Sequence, residues 1–158
     1  MKAFQSRGGK LILYHGWSDA AISPLNSINY YESVQATMGK QQADTFVRLY
    51  MVPGMQHCAG GPGPDDFGQL GIPPVNDPQH NIYQALEQWT EKGTPPTTVI
   101  ASKLEAETPA ESVEAASAPA AQAAKPKMTR PLCAYPQQLK YKGQGNPNQA
   151  TSFTCENP

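Results

Sequence analysis

KLILYHGWSDAAISP (residues 10–24) opens as an apolar run and closes on a helix start. Leu11 to Tyr14, stopped by Gly16, has the pattern of a short buried strand. Ser23-Pro24 reads as an N-cap followed by proline at the first helical position. Leu25, Ile28, Tyr31 and either Val34 or Gln35 then recur at three- and four-residue spacing, which predicts a helix over residues 24–38 ended by Gly39. TFVRLYMV (residues 45–52) is rich in β-branched and aromatic residues and halted by Pro53-Gly54, so it predicts a second strand. A loop dense in glycine and proline follows. Next comes a helix expected over about residues 78–92, capped by Asn76 or Asp77, striped with Ile82, Ala85, Leu86 and Trp89, and ended by Gly93. TTVIASK (residues 97–103) predicts a third strand. Strand, helix, strand, helix, strand is the order an α/β sheet with covering helices requires.

Composition narrows the function. The chain has 158 residues, with 16 prolines and 13 glycines, so the apolar residues that build a core are concentrated in part of it. Lys and Arg number 12 against 13 Asp and Glu, a net charge of -1. No basic field is present to hold a phosphate backbone, so nucleic acid is not an expected partner. The longest apolar run is far short of the roughly 20 residues of a membrane span, and no membrane association is expected. MKAFQSRGGK at the start has one early lysine but no apolar stretch, so no signal peptide is read there.

Beyond residue 103 the character changes. Residues 104–129 are dominated by Ala, Glu, Pro, Ser and Lys and contain no aromatic residue, which predicts a linker unable to bury enough apolar area to order itself. Proline at 109 and 119 bounds a transient helix over 110–118. Residues 130–158 carry Cys133, Tyr135, Tyr141, Phe153 and Cys155 among polar and turn residues, too few to make a core alone. A Cys133–Cys155 disulfide would staple that tail. Three cysteines, Cys58, Cys133 and Cys155, leave one thiol over, either free or bonded outside this chain.

Two positions carry chemistry. Asp19 lies just past the first strand, and His57 five residues past the second, in PGMQHCAGGPG. An acid after one strand and a histidine after the next match the last two members of a Ser, Asp, His triad in α/β-hydrolase order. The histidine takes the serine proton; the carboxylate fixes its tautomer and stabilises the imidazolium. Bland alternatives exist for each: Asp19 as a turn or cap residue, His57 as a solvated loop residue. His15 reads as part of the strand end, His80 as an exposed residue of the first helical turn, and Tyr30, Tyr31 and Trp89 as core. Ser18, in GWSDA, is a rival nucleophile, but a nucleophile elbow needs a helix directly behind it, and Pro24 places several loop residues first.

HGWSDAAISP, with the downstream YYE, and RLYMVPGMQHCAGGPGP together resemble the tannase and feruloyl esterase family of α/β-hydrolases. The family's acid motif, HG-x-x-D-x-x-I-x-P, is matched by His15, Gly16, Asp19, Ile22 and Pro24. Its histidine motif, PGM-x-HC-x-GG-x-G, is matched by Pro53, Gly54, Met55, His57, Cys58, Gly60, Gly61 and Gly63. ALEQWTEKGTPP and RPLCAYPQQLKYKGQGN resemble the family's closing stretch.

The resemblance implies that residues 1–103 form the carboxyl-terminal part of an α/β-hydrolase catalytic domain, with about three strands and covering helices. The linker and a disulfide-stapled tail packed on that domain follow. It implies Asp19 and His57 as catalytic acid and base, and Ile22 as a residue of the acyl pocket. It further implies that Cys58 pairs with a cysteine beside the serine outside this chain, which leaves Cys133 to pair with Cys155. The nucleophile's G-C-S-x-G-G string does not occur in this sequence, and neither does the family's lid domain with its calcium. Asp65-Asp66 is the one acidic pair to weigh as a calcium site and reads as a solvated turn, so no metal or other cofactor is expected here. The expected substrate of the intact enzyme is a small aromatic-acid ester, feruloyl or galloyl. The expected partner is the missing amino-terminal half, and the expected location is secreted or periplasmic. The alternative is an inactive truncated or split-gene product, or a binding module that needs a complementary chain.

Overall fold

The computed structural model describes residues 1–71, 73, 75–105 and 126–158. After a short helix α1 (Lys2–Ser6), strand β1 (Leu11–Gly16) leads through a turn into α2 (Pro24–Met38), then a one-turn helix α3 (Lys40–Ala43) and β2 (Val47–Val52). The two strands are parallel, with Leu11 opposite Val47 and Gly16 opposite Val52. A long loop precedes α4 (Ile82–Lys92), followed by β3 (Thr98–Lys103), β4 (Met128–Cys133), β5 (Gln138–Tyr141), a 3₁₀ turn (Ala150–Ser152) and β6 (Phe153–Glu156).

β2 explains the layering. Side chains alternate between faces along a strand, and both faces of this one are buried. Val47, Leu49 and Met51 pack with Ile28, Tyr31 and Val34 of α2 and with Phe46. Tyr50 and Val52 face the other way, into a cluster with Met55, Phe67, Ile82, Val99, Ala101 and Leu132. A strand buried on both sides reads as a continuous apolar run, as this one does. Trp89 closes α4 against the sheet, with the Arg48 guanidinium 5.0 Å from its ring centroid.

Several expectations are refined or corrected. Of the about three strands expected, β1 and β2 pair with each other, whereas β3 pairs antiparallel with β4, Thr98 opposite Cys133 and Lys103 opposite Met128. β4 in turn leads to a bridge between Ala134 and Tyr50, so the region after the expected linker stands between β2 and β3. β4 begins at Met128, inside the stretch expected as linker, and contributes the buried Leu132 and Cys133. α4 starts at Ile82, not at Pro78, because Asn81 is its cap: the Asn81 side-chain oxygen accepts from the N–H groups of Tyr83 (2.9 Å) and Gln84 (3.4 Å). Asp77 instead closes a tight turn, accepting from the N–H groups of Gln79 and His80. Among the aromatic residues expected in the core, Tyr31 and Trp89 are buried but Tyr30 is exposed.

Cys133 and Cys155 form a disulfide that ties the end of β4 to β6. Most of the expected linker, and the transient helix within it, lies outside the described residues. Among the described residues no helix is long and apolar enough to cross a membrane.

Candidate active site

Asp19 is set by the turn between β1 and α2. Its Oδ1 accepts the N–H groups of Ala21 (2.8 Å) and Ile22 (2.9 Å), an Asx turn that holds the carboxylate above the carboxyl end of β1. Gly16 lets this turn lie against the next loop, since any Cβ there would overlap the carbonyl oxygens of Met55 and Gln56. Across that contact the Trp17 N–H donates to Val52 O and the Ser18 N–H to Met55 O, each at 3.0 Å.

That approach brings Asp19 and His57 together. Nδ1 of His57 lies 2.8 Å from Asp19 Oδ2, although 38 residues separate them in sequence. The Asp19 side chain is 3 % exposed and that of His57 55 %. Because the carboxylate only accepts, Nδ1 carries the proton, which leaves Nε2 as the basic nitrogen on the open side of the ring. The Asp19 carboxyl is held well below the usual carboxylate range. The Ile22 N–H contributes most, and the bonds from His57 and the Ala21 N–H add to it, against an opposing effect of burial.

The loop bearing His57 is braced from beneath. Lys103, at the end of β3, donates through Nζ to Asp65 Oδ1 and Gly61 O, both at 2.8 Å, and the Gly60 N–H donates to Asp65 Oδ2 (2.6 Å). The buried Gln69 amide donates to Cys58 O (3.3 Å) and to Asp65 O, while its oxygen accepts from the Phe67 N–H. Cys58 itself adopts φ 64°, a left-handed conformation rarely taken by a non-glycine residue, and its thiol is free and exposed. Asp65 and Asp66 do not fit a calcium site, because Asp65 is engaged by a lysine and a backbone amide and Asp66 accepts from the Gly68 N–H.

Other sequence candidates fall as follows. Ile22 exposes its side chain next to the acid, at 47 %. Ser18 is exposed and makes no side-chain hydrogen bond to His57, and the helix behind it starts only at Pro24. His80 precedes α4 and pairs with Asp77 (2.8 Å). Beside the acid turn, a cleft of about 240 Å³ is lined by Trp17, Met51, Pro53, Tyr135 and Leu139, but not by Asp19 or His57.

One neighbour of the site was read from sequence only as a strand end and a motif match. His15 approaches Asp19 Oδ2 through Nε2 at 3.2 Å. Its position four residues before the acid in HG-x-x-D was the available signal.

Two solved structures share this arrangement of elements. Feruloyl esterase B from Aspergillus oryzae superposes with a TM-score of 0.81 at 33 % identity, over 98 % of this chain and 28 % of that one. A tannin acyl hydrolase from Aspergillus niger gives 0.65 at 26 % identity, over 99 % and 24 %. The fold is α/β-hydrolase-like, as in these esterases. The tannase and feruloyl esterase family model matches residues 1–156, and the chain belongs to that family. Relatives include an uncharacterized esterase of Xanthomonas campestris pv. campestris, 38 % identical over 98 % of this chain. A mono(2-hydroxyethyl) terephthalate hydrolase of Piscinibacter sakaiensis is 41 % identical over all of it. The chain spans 27 % of the first of these relatives and 21 % of the second, about a quarter of their length.

Proposed function

We propose that this segment supplies the acid and base of a serine carboxylic-ester hydrolase acting on esters of aromatic acids, the hydroxyl nucleophile coming from outside it. The observation that carries the reading is the 2.8 Å bond from His57 Nδ1 to a buried carboxylate, with the far ring nitrogen open. In that geometry Nε2 removes the serine proton as the hydroxyl attacks the ester carbonyl. The imidazolium, stabilised by Asp19, then protonates the leaving alkoxide; a second cycle through water releases the acid. Feruloyl and galloyl esters are the substrates favoured, because feruloyl esterase and tannin acyl hydrolase are the names of its structural neighbours. Ile22 stands beside the acid and contributes to the acyl pocket. Cys58, free and exposed one residue after the base, pairs with a cysteine next to the serine and draws the two loops together. Cys133–Cys155 fits an oxidising compartment, so the protein acts in the periplasm or outside the cell.

The test has two arms. The segment joined to a serine-bearing amino-terminal portion of the family hydrolyses methyl ferulate, and His57→Ala lowers kcat by about 10⁶-fold; unchanged turnover in that variant refutes the acid and base assignment. The 158-residue chain by itself neither turns over p-nitrophenyl acetate nor reacts with a fluorophosphonate. Turnover by the chain alone that His57→Ala abolishes, or labelling of Ser18, refutes an external nucleophile.

A further inference from the structure

We infer that His15 is a positioning residue for the acid–base pair: as its Nε2–H tautomer it bonds the Ile22 carbonyl and so pins the turn whose N–H groups hold Asp19 beside His57. The inference rests on the reading of Asp19 and His57 as acid and base. His15 Nε2 lies 3.2 Å from Asp19 Oδ2 and 3.2 Å from the carbonyl oxygen of Ile22. The Ile22 carbonyl only accepts, so Nε2 bears the hydrogen and donates it there. Nδ1 then carries the lone pair and accepts from the Ser27 hydroxyl at 2.7 Å. The partners thus fix the tautomer from both sides of the ring.

The consequence is a carboxylate fixed through its turn. Oδ1 takes two backbone N–H groups of the turn that His15 pins, and Oδ2 takes His57, with His15 Nε2 a close polar neighbour at 3.2 Å. The two histidines differ in mounting. His57 sits on a loop with more than half of its side chain exposed, whereas His15 is 12 % exposed, in register with Met51 inside the β1–β2 ladder and tied to α2 through Ser27. Asp19 is therefore referred, through its turn, to the strand and the helix, and not only to the exposed His57. A ligand whose own ring is fixed by an outer partner is oriented in the same manner at many catalytic sites.

The test reads ring tautomers in the intact 158-residue chain, by long-range ¹H–¹⁵N correlation at a pH where both rings are neutral. In the native chain His15 shows a single Nε2–H form and His57 a single Nδ1–H form. In His15→Phe, which keeps the volume without the donor, His57 loses its single form and spreads over both tautomers; His15→Gln, whose amide nitrogen replaces Nε2, returns it to Nδ1–H. Ser27→Ala, a milder change in case the phenylalanine variant does not fold, releases His15 into a tautomer mixture. A role confined to seating α2 moves none of the His57 signals. Nδ1–H on native His15, mixed tautomers on both native rings, or an unchanged His57 in His15→Phe overturns the inference. No serine or substrate enters this measurement, so its failure is separable from that of the hydrolase reading, which is decided by turnover in His57→Ala.

Discussion

Gly16 decides whether Asp19 and His57 meet. No side chain fits between its Cα and the Met55 and Gln56 carbonyls. Gly16→Ala is expected to push the two loops apart, destabilising the chain by about 1–3 kcal/mol in urea titration and releasing His57 from its Nδ1–H tautomer. Asp19 gives a prediction with a sign. Its folded pKa lies below the ordinary 3.8, so the unfolded chain takes up the proton first as pH falls. The group's contribution to stability is complete above about pH 5 and is lost as pH falls below 4 toward the folded value. The deficit of Asp19→Asn in urea midpoint is therefore largest at neutral pH and shrinks on acidification; a deficit independent of pH contradicts the depressed pKa. At this scale the sequence was informative where motif and spacing coincide, at Asp19 and His57. It marked His15 only as a strand end and a motif match, because what such a histidine does depends on the turn folding Ile22 back over it and on Ser27 arriving twelve residues later.

Among the elements, β1, α2, β2 and β3 were legible to within two residues, since each announces itself by local pattern and the first three also by a glycine or proline stop. α4 was misplaced at its start. Several residues in NDPQHN can cap a helix, and choosing among them requires knowing which one faces the helix rather than the preceding turn. Asn81→Ala should cost about 1 kcal/mol and lower the melting temperature by about 2–4 °C, as monitored by far-ultraviolet circular dichroism; an equal loss in Asp77→Ala instead would restore the earlier start. β4 was missed altogether. MTRPLC contains an arginine and a proline, which demote a strand reading. The structure accommodates the proline because Ile100, its cross-strand partner, sends its own N–H to Gln79 O. That pairing spans more than two dozen residues and leaves no local trace.

Over the whole molecule, the segment after residue 127 is structural and not an appendage. Leu132 fills the cluster around Tyr50 and Val99, and the disulfide fastens the strand that delivers it. Cys155→Ser, or reduction, is expected to lower unfolding free energy by about 3 kcal/mol through the freed loop, read from urea denaturation with and without reductant. No change in midpoint would mean that β3 pairing alone secures β4. The order of these pieces also has a consequence during biosynthesis. Val99 leaves the ribosome well before Leu132, and at about 5–20 residues per second the interval is roughly 2–7 s. For that time the greasy face of the nascent sheet has no lid, which makes the half-made polypeptide a natural client for holding chaperones until β4 emerges to seal it.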